Sequence, residues 1–83
     1  MTHLILLYPA DKKSTYRDLQ WRIGNFKPAV KLEKNCWFVS TAKSSDALLA
    51  DLSEYIDRDD DKLLVCEVKC WNHLNFLLED MNK

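Results

Sequence analysis

The sequence predicts an α+β domain. Three observations carry that expectation. Residues 3–8 and 36–39 are short apolar runs that read as strands covered on both faces. Residues 12–26 and the segment after Ser45 repeat their apolar side chains at helical spacing. Residues 62–70 alternate cleanly, as a half-buried strand does.

The first run is His3-Leu4-Ile5-Leu6-Leu7-Tyr8, and Pro9 stops it. Tyr16, Leu19, Ile23 and Phe26 then fall in one stripe, which predicts a helix of about four turns ending at Gly24-Asn25. Over 28–33, Val30 and Leu32 alternate weakly with Lys31 and Glu33. Pro28 opens this segment and marks an edge strand, because proline donates no hydrogen bond to a ladder. Lys34-Asn35 is a tight-turn pair. It folds residues 35–41, with Cys36-Trp37-Phe38-Val39 at their centre, back as a hairpin partner.

Ser44 or Ser45 is the expected cap of the second helix. Leu48, Leu49, Leu52, Tyr55 and Ile56 share one face, while Asp46, Ala50, Asp51 and Glu54 take the other. Asp57-Arg58-Asp59-Asp60-Asp61 breaks the pattern before the last strand. There, Leu64, Cys66, Val68 and Cys70 point one way and Leu63, Val65, Glu67 and Lys69 the other. In the tail, Leu74, Leu78 and Met81 stand at helical spacing and predict a short C-terminal helix.

The order strand, helix, strand, strand, helix, strand predicts a ferredoxin-like βαββαβ sandwich with a short C-terminal helix. Residues 1–83 are expected to form one such domain. The two continuous apolar runs belong at the sheet centre and the two mixed strands at its edges. Both helices cover one sheet face. The first strand has no polar residue between Leu4 and Leu7, so one of its apolar sets faces away from the helices. Either Cys36 with Phe38, or Trp37 with Val39, does the same, and Leu63 and Val65 are expected to add to that surface. A second copy of the chain or the C-terminal helix is the expected cover.

Hydrophobic residues make up 47% and charged residues 30%, which excludes a disordered chain. A net charge of −1 provides no global attraction to nucleic acid or membrane, so any such binding rests on a local patch. No run is long enough for a signal core or a membrane span. Three cysteines without a leader read as reduced thiols in a cytoplasmic protein.

The first helix carries the one basic and aromatic surface. Lys13, Arg17 and Trp21 stand four residues apart, with Trp21 opposite the apolar stripe. Lys12 and Arg22 flank them, and Lys27, Lys31 and Lys34 add charge nearby in sequence. An arginine beside an exposed indole suits a protein hot spot or a stacked base. The alternative is a Trp21 covered by the tail among solvated charges. Lys12, Lys13, Arg17, Trp21 and Arg22 are thus the candidate partner- or nucleic-acid-binding residues.

Other constellations point to no chemistry. Asp57, Asp59, Asp60 and Asp61 read as a solvated turn, lacking the glycine and distant glutamate of a calcium loop. Cys66 and Cys70 sit about 13 Å apart on a strand, too far to grip one zinc with His73, and read with Cys36 as small buried residues. His3 and His73 read as surface or tail residues with no nucleophile partner at a useful spacing. No catalytic residue, metal site or cofactor is expected.

The element order in a chain of this size resembles the small CRISPR-associated adaptation protein that partners the spacer integrase, and its VapD-like toxin relatives. The likeness covers residues 3–70. It lies in Trp37-Phe38-Val39-Ser40-Thr41, in the helix with Ser45 and Leu52, and in the Ile56-Asp57 exit. Asp61-Lys62-Leu63-Leu64-Val65 completes it. The resemblance implies a homodimer and contact with nucleic acid. Metal-dependent nucleases of that family use an aspartate directly after the first strand. Here Pro9 stands at that place and Asp11 comes two positions later. The leading expectation is therefore a non-catalytic homodimeric module that binds a protein or nucleic acid. The alternatives are a metal-dependent nuclease or toxin using Asp11, and an inhibitor that acts by occupying a partner's surface.

Overall fold

A computed structural model describes residues 1–11 and 16–70 of the chain. In chain order the elements are β1 (Thr2–Tyr8), α1 (Arg17–Gly24), β2 (Ala29–Glu33), β3 (Cys36–Ser40), α2 (Ser45–Ser53) and β4 (Lys62–Val68). The architecture is α+β: a four-stranded antiparallel sheet in the order β2-β3-β1-β4, with two helices. The apolar strands β1 and β3 are central. The mixed strands β2 and β4 lie at the edges, where alternate side chains meet solvent.

Each helix is bounded by local chemistry. Ser44 caps α2, its hydroxyl accepting from the Ala47 amide at 3.1 Å. α1 is shorter than its apolar stripe predicts. Tyr16 sits at φ 49°, ψ 47°, left-handed backbone that blocks continuation upstream, so the helix starts at Arg17. Its end at Gly24 and Asn25 is the expected one, and Asn25 Nδ2 donates to the Trp21 carbonyl at 2.9 Å. The predicted C-terminal helix falls at 71–83, outside the described residues.

The pleat sorts the sheet into two faces. Ile5, Leu7, Trp37 and Val39 pack with Leu19, Ile23, Phe26, Leu48 and Leu52 from the helices in the main core. Tyr16 and Tyr55 close its rim. Leu49, expected on the same helix face, is exposed instead. On the opposite face Phe38 packs with Leu4, Val30, Leu32 and Val68. Register places Leu6, Cys36, Leu64 and Cys66 on that face too, through the pairs Leu6↔Cys36, Leu6↔Leu64 and Leu4↔Cys66.

Two expectations are corrected here. Leu63 and Val65 pair with Leu7 and Ile5 and join the helix-covered core, so Leu64, Cys66 and Val68 line the back instead. Alternation alone gives two sets of side chains, and only pairing to β1 says which set faces the helices. His3 is not a surface residue. It shares the helix-facing side of β1 with Ile5 and Leu7 and is fully buried, and among the described residues neither ring nitrogen has a hydrogen-bond partner.

Candidate functional site

The outer face of α1 is the candidate site. Burying Leu19 and Ile23 against the sheet turns Trp21 outward. Trp21 is 67% exposed, and the tail invoked by the alternative reading lies outside the described residues. Arg17, one turn earlier, is exposed as well. Lys12 and Lys13 lie outside the described residues.

Arg22 is placed differently. Its Nε donates to Asp51 Oδ1 at 3.0 Å and its Nη2 donates to Oδ2, a bidentate pair joining α1 to α2. Its guanidinium also lies over the Phe26 ring, 4.7 Å from the centroid. Lys43 Nζ approaches Asp51 at 3.2 Å. The Arg22 hydrogen bond, followed by Lys43, holds the Asp51 carboxyl below the usual carboxylate range against the opposing effect of burial. Arg22 thus contributes to joining the helices, and the outward pair is Arg17 with Trp21.

Arg17 also borders a cleft of about 640 Å³ where the end of β1, the start of α1, the end of α2 and the start of β4 converge. Asp11, Asp18, Glu54, Asp57, Asp60 and Asp61 share its lining with Tyr16. Asp61 organises the cleft. Its Oδ1 accepts from the Ala10 amide at 2.8 Å and from the Tyr16 hydroxyl at 2.6 Å, and its Oδ2 accepts from the Asp57 amide at 2.9 Å. Burial pushes the Asp61 carboxyl up, but these three hydrogen bonds outweigh it and hold it low. The same bond, then burial, raises the Tyr16 phenol. Asp57 Oδ1 accepts from the amides of Asp59 and Asp60 at 3.0 and 3.3 Å. The acidic loop is therefore a turn held by its own side chains.

No protein-family model, curated protein or solved structure matches the chain. The chemistry of the site rests on its geometry. Among the described residues no three histidine, cysteine, aspartate or glutamate side chains converge on a metal position. Cys36 and Cys66 are half-buried on the back of the sheet, whereas Cys70 is exposed rather than buried as expected. No described helix is long and apolar enough to cross a membrane.

Periodicity alone exposes Trp21. The Arg22–Asp51 pair and the Tyr16–Asp61 bond join residues far apart in sequence. Each partner was visible only as a polar residue on a helix face or in a loop.

Proposed function

We propose that this chain is a non-catalytic binding module of ferredoxin-like βαββαβ fold that meets a protein partner through the outer face of α1. Trp21 is the anchor and Arg17 the charged neighbour. The observation that carries this reading is the 67% exposure of Trp21 on a helix whose other face is buried. A large indole held by a rigid helix loses little conformational entropy on docking and offers much apolar area. The strand order, with both helices packed into one core, supports the ferredoxin-like name.

A nucleic-acid partner is less favoured. Arg22 is committed to Asp51, and the cleft beside Arg17 is ringed by carboxylates that repel phosphate. The test compares proteins cross-linked in native extract by wild type, Trp21→Ala and Arg17→Glu, with folding checked by circular dichroism. One specific partner lost in both variants supports the reading. Unchanged capture, or salt-sensitive oligonucleotide binding near physiological salt, overturns it. Cleavage of RNA or DNA with Mg²⁺ or Mn²⁺ that Asp11→Ala abolishes would establish the nuclease alternative instead.

The homodimer implied by the family resemblance has one specific support. Tyr8 and Leu64, at the outer margin of the sheet's back, are 61% and 47% exposed on and beside edge strand β4. We place the self-contact there. Light scattering is expected to give a dimer for wild type and a monomer for Leu64→Glu. A monomeric wild type removes this contact.

A further inference from the structure

A groove of about 220 Å³ lies between α1 and the edge strand β2. Ile23, Ala29 and Trp37 give it an apolar floor, and the exposed Gln20, Gly24 and Lys31 form its rim. A Cβ built on Gly24 would meet nothing within 4 Å, so the α1 side is open. The backbone of β2 is aimed at the same place. The Ser40 amide donates to the Pro28 carbonyl at 3.0 Å, which turns the polar groups of Pro28 toward β3. Polar groups alternate sides along a strand, so the N–H and C=O of Ala29 and Lys31 point to the outer edge. Among the described residues no strand pairs with that edge. The side chains of the same two residues line the groove.

We propose that a short extended segment of a protein partner, with an apolar side chain and a carboxylate two residues apart, adds to β2 as an antiparallel fifth strand in this groove. Charge selects that occupant. Lys27, Lys31 and Lys34 are exposed, and among the described residues no carboxylate pairs with them. Lys31 pairs with Trp37 and so shares the helix-facing side, and a bulge between Lys31 and Glu33 ends the regular ladder. Both features discourage indiscriminate edge pairing. Two β2 edges paired antiparallel bring Lys31 against its own copy or against Lys27, a like-charge contact that opposes a second copy of the chain. A strand with a carboxylate opposite Lys31 turns the same lysine into an attraction. Its apolar side chain, two residues away and on the same face, covers Ile23, Ala29 and Trp37. Main-chain bonds at Ala29 and Lys31 supply affinity, and the alternate side chains supply specificity. This docking mode rests on the reading that α1 meets a protein, and names the segment that docks beside it, since Gln20 and Gly24 flank Trp21 on α1.

The probe is the acetylated and amidated peptide Thr-Thr-Val-Thr-Glu-Thr-Thr, titrated into the full-length, isotope-labelled protein and followed by amide NMR. Binding with a Kd of about 1 mM or tighter is expected, with the largest shifts at Gly24, Ala29 and Lys31. N-methylation of the peptide at valine and glutamate is expected to abolish it, because those amides face β2. Lys31→Glu is expected to weaken binding at least about tenfold and to favour the peptide with lysine in place of glutamate. Gly24→Leu places a side chain in the open rim and is expected to weaken binding by a similar factor while leaving the melting temperature no lower than wild type. No binding at about 5 mM peptide, shifts confined to other elements, or an affinity unchanged by Lys31→Glu overturns the proposal. In the extract cross-linking, a partner lost from Trp21→Ala but kept by Lys31→Glu leaves α1 as the docking helix and overturns the added strand. Peptide binding at β2 while Trp21→Ala keeps its partner supports the added strand and overturns the role of Trp21 instead.

Discussion

The Tyr16 hydroxyl donates to Asp61 Oδ1 at 2.6 Å, tying the residue before α1 to the residue before β4 across 45 positions of sequence. The two residues flank the cleft, and each is held in an unusual state. Tyr16 has left-handed backbone, and Asp61 carries three hydrogen bonds on one carboxylate. The loop after β1 and the loop before β4 are thereby fastened to each other at one end of the sheet.

Asp61→Ala removes all three bonds and leaves the Ala10 and Asp57 amides to water. The expected result is a melting temperature lower by about 5 °C, from roughly 1 kcal/mol in a domain of this size. Tyr16→Phe keeps two of the three bonds and is expected to lower it less. Thermal melts of both variants check the order. An unchanged Asp61→Ala melt would show that the loops hold without this carboxylate.

Arg22 and Asp51 are expected to couple by about 1 kcal/mol in a double-mutant cycle, the upper end for a pair that is only partly buried. The sign with pH follows from the lowered Asp51 carboxyl. Its contribution is present above the unfolded value of about 3.9 and is lost as pH falls through the folded value. The midpoint difference between wild type and Asp51→Asn is thus expected to be flat from about pH 7 to 5 and to shrink below about pH 4. Urea titrations across that range measure it.

His3→Leu is expected to be neutral or stabilising. The imidazole is fully buried and finds no hydrogen-bond partner on either nitrogen among the described residues, which leaves its desolvation uncompensated by them. Leucine removes that cost while keeping most of the contact with the core. The check is a denaturation midpoint at unchanged slope, and a drop of more than about 1 kcal/mol would show that the ring has a partner in solution.

Asn35 sits at φ 67° in the turn between β2 and β3, and its carbonyl accepts from the Leu7 amide at 2.9 Å. Asn35→Val is expected to cost about 1–2 kcal/mol, because a β-branched residue tolerates left-handed backbone poorly. Asn35→Gly is expected to leave stability unchanged or slightly raised. Trp21→Ala serves as the control and is expected to change stability by less than about 0.5 kcal/mol.

Much of this architecture was written in short-range pattern. Leu19 and Ile23 enter the core from α1 as their helical spacing requires, and Tyr16 and Phe26, just outside its two ends, pack against the same core. Ser44 caps the second helix, and strand hydrophobicity separates central from edge positions. Exposure of Trp21 follows from the same wheel. These features depend on residues a few positions apart, and helical or pleated geometry alone relates them.

What the pattern left undecided needed partners distant in sequence. Alternation in β4 defined two side-chain sets, and pairing with β1 chose Leu63 and Val65 for the core. Arg22 looked like one more surface cation until α2 brought Asp51 against it. His3 looked like a strand-end polar residue until the register buried it. The sequence by itself determined the order of helices and strands from β1 to β4, because backbone geometry turns local spacing into a face. Only the tertiary structure decided which charges are paired and which face is covered, because both depend on surfaces that chain folding brings together from afar.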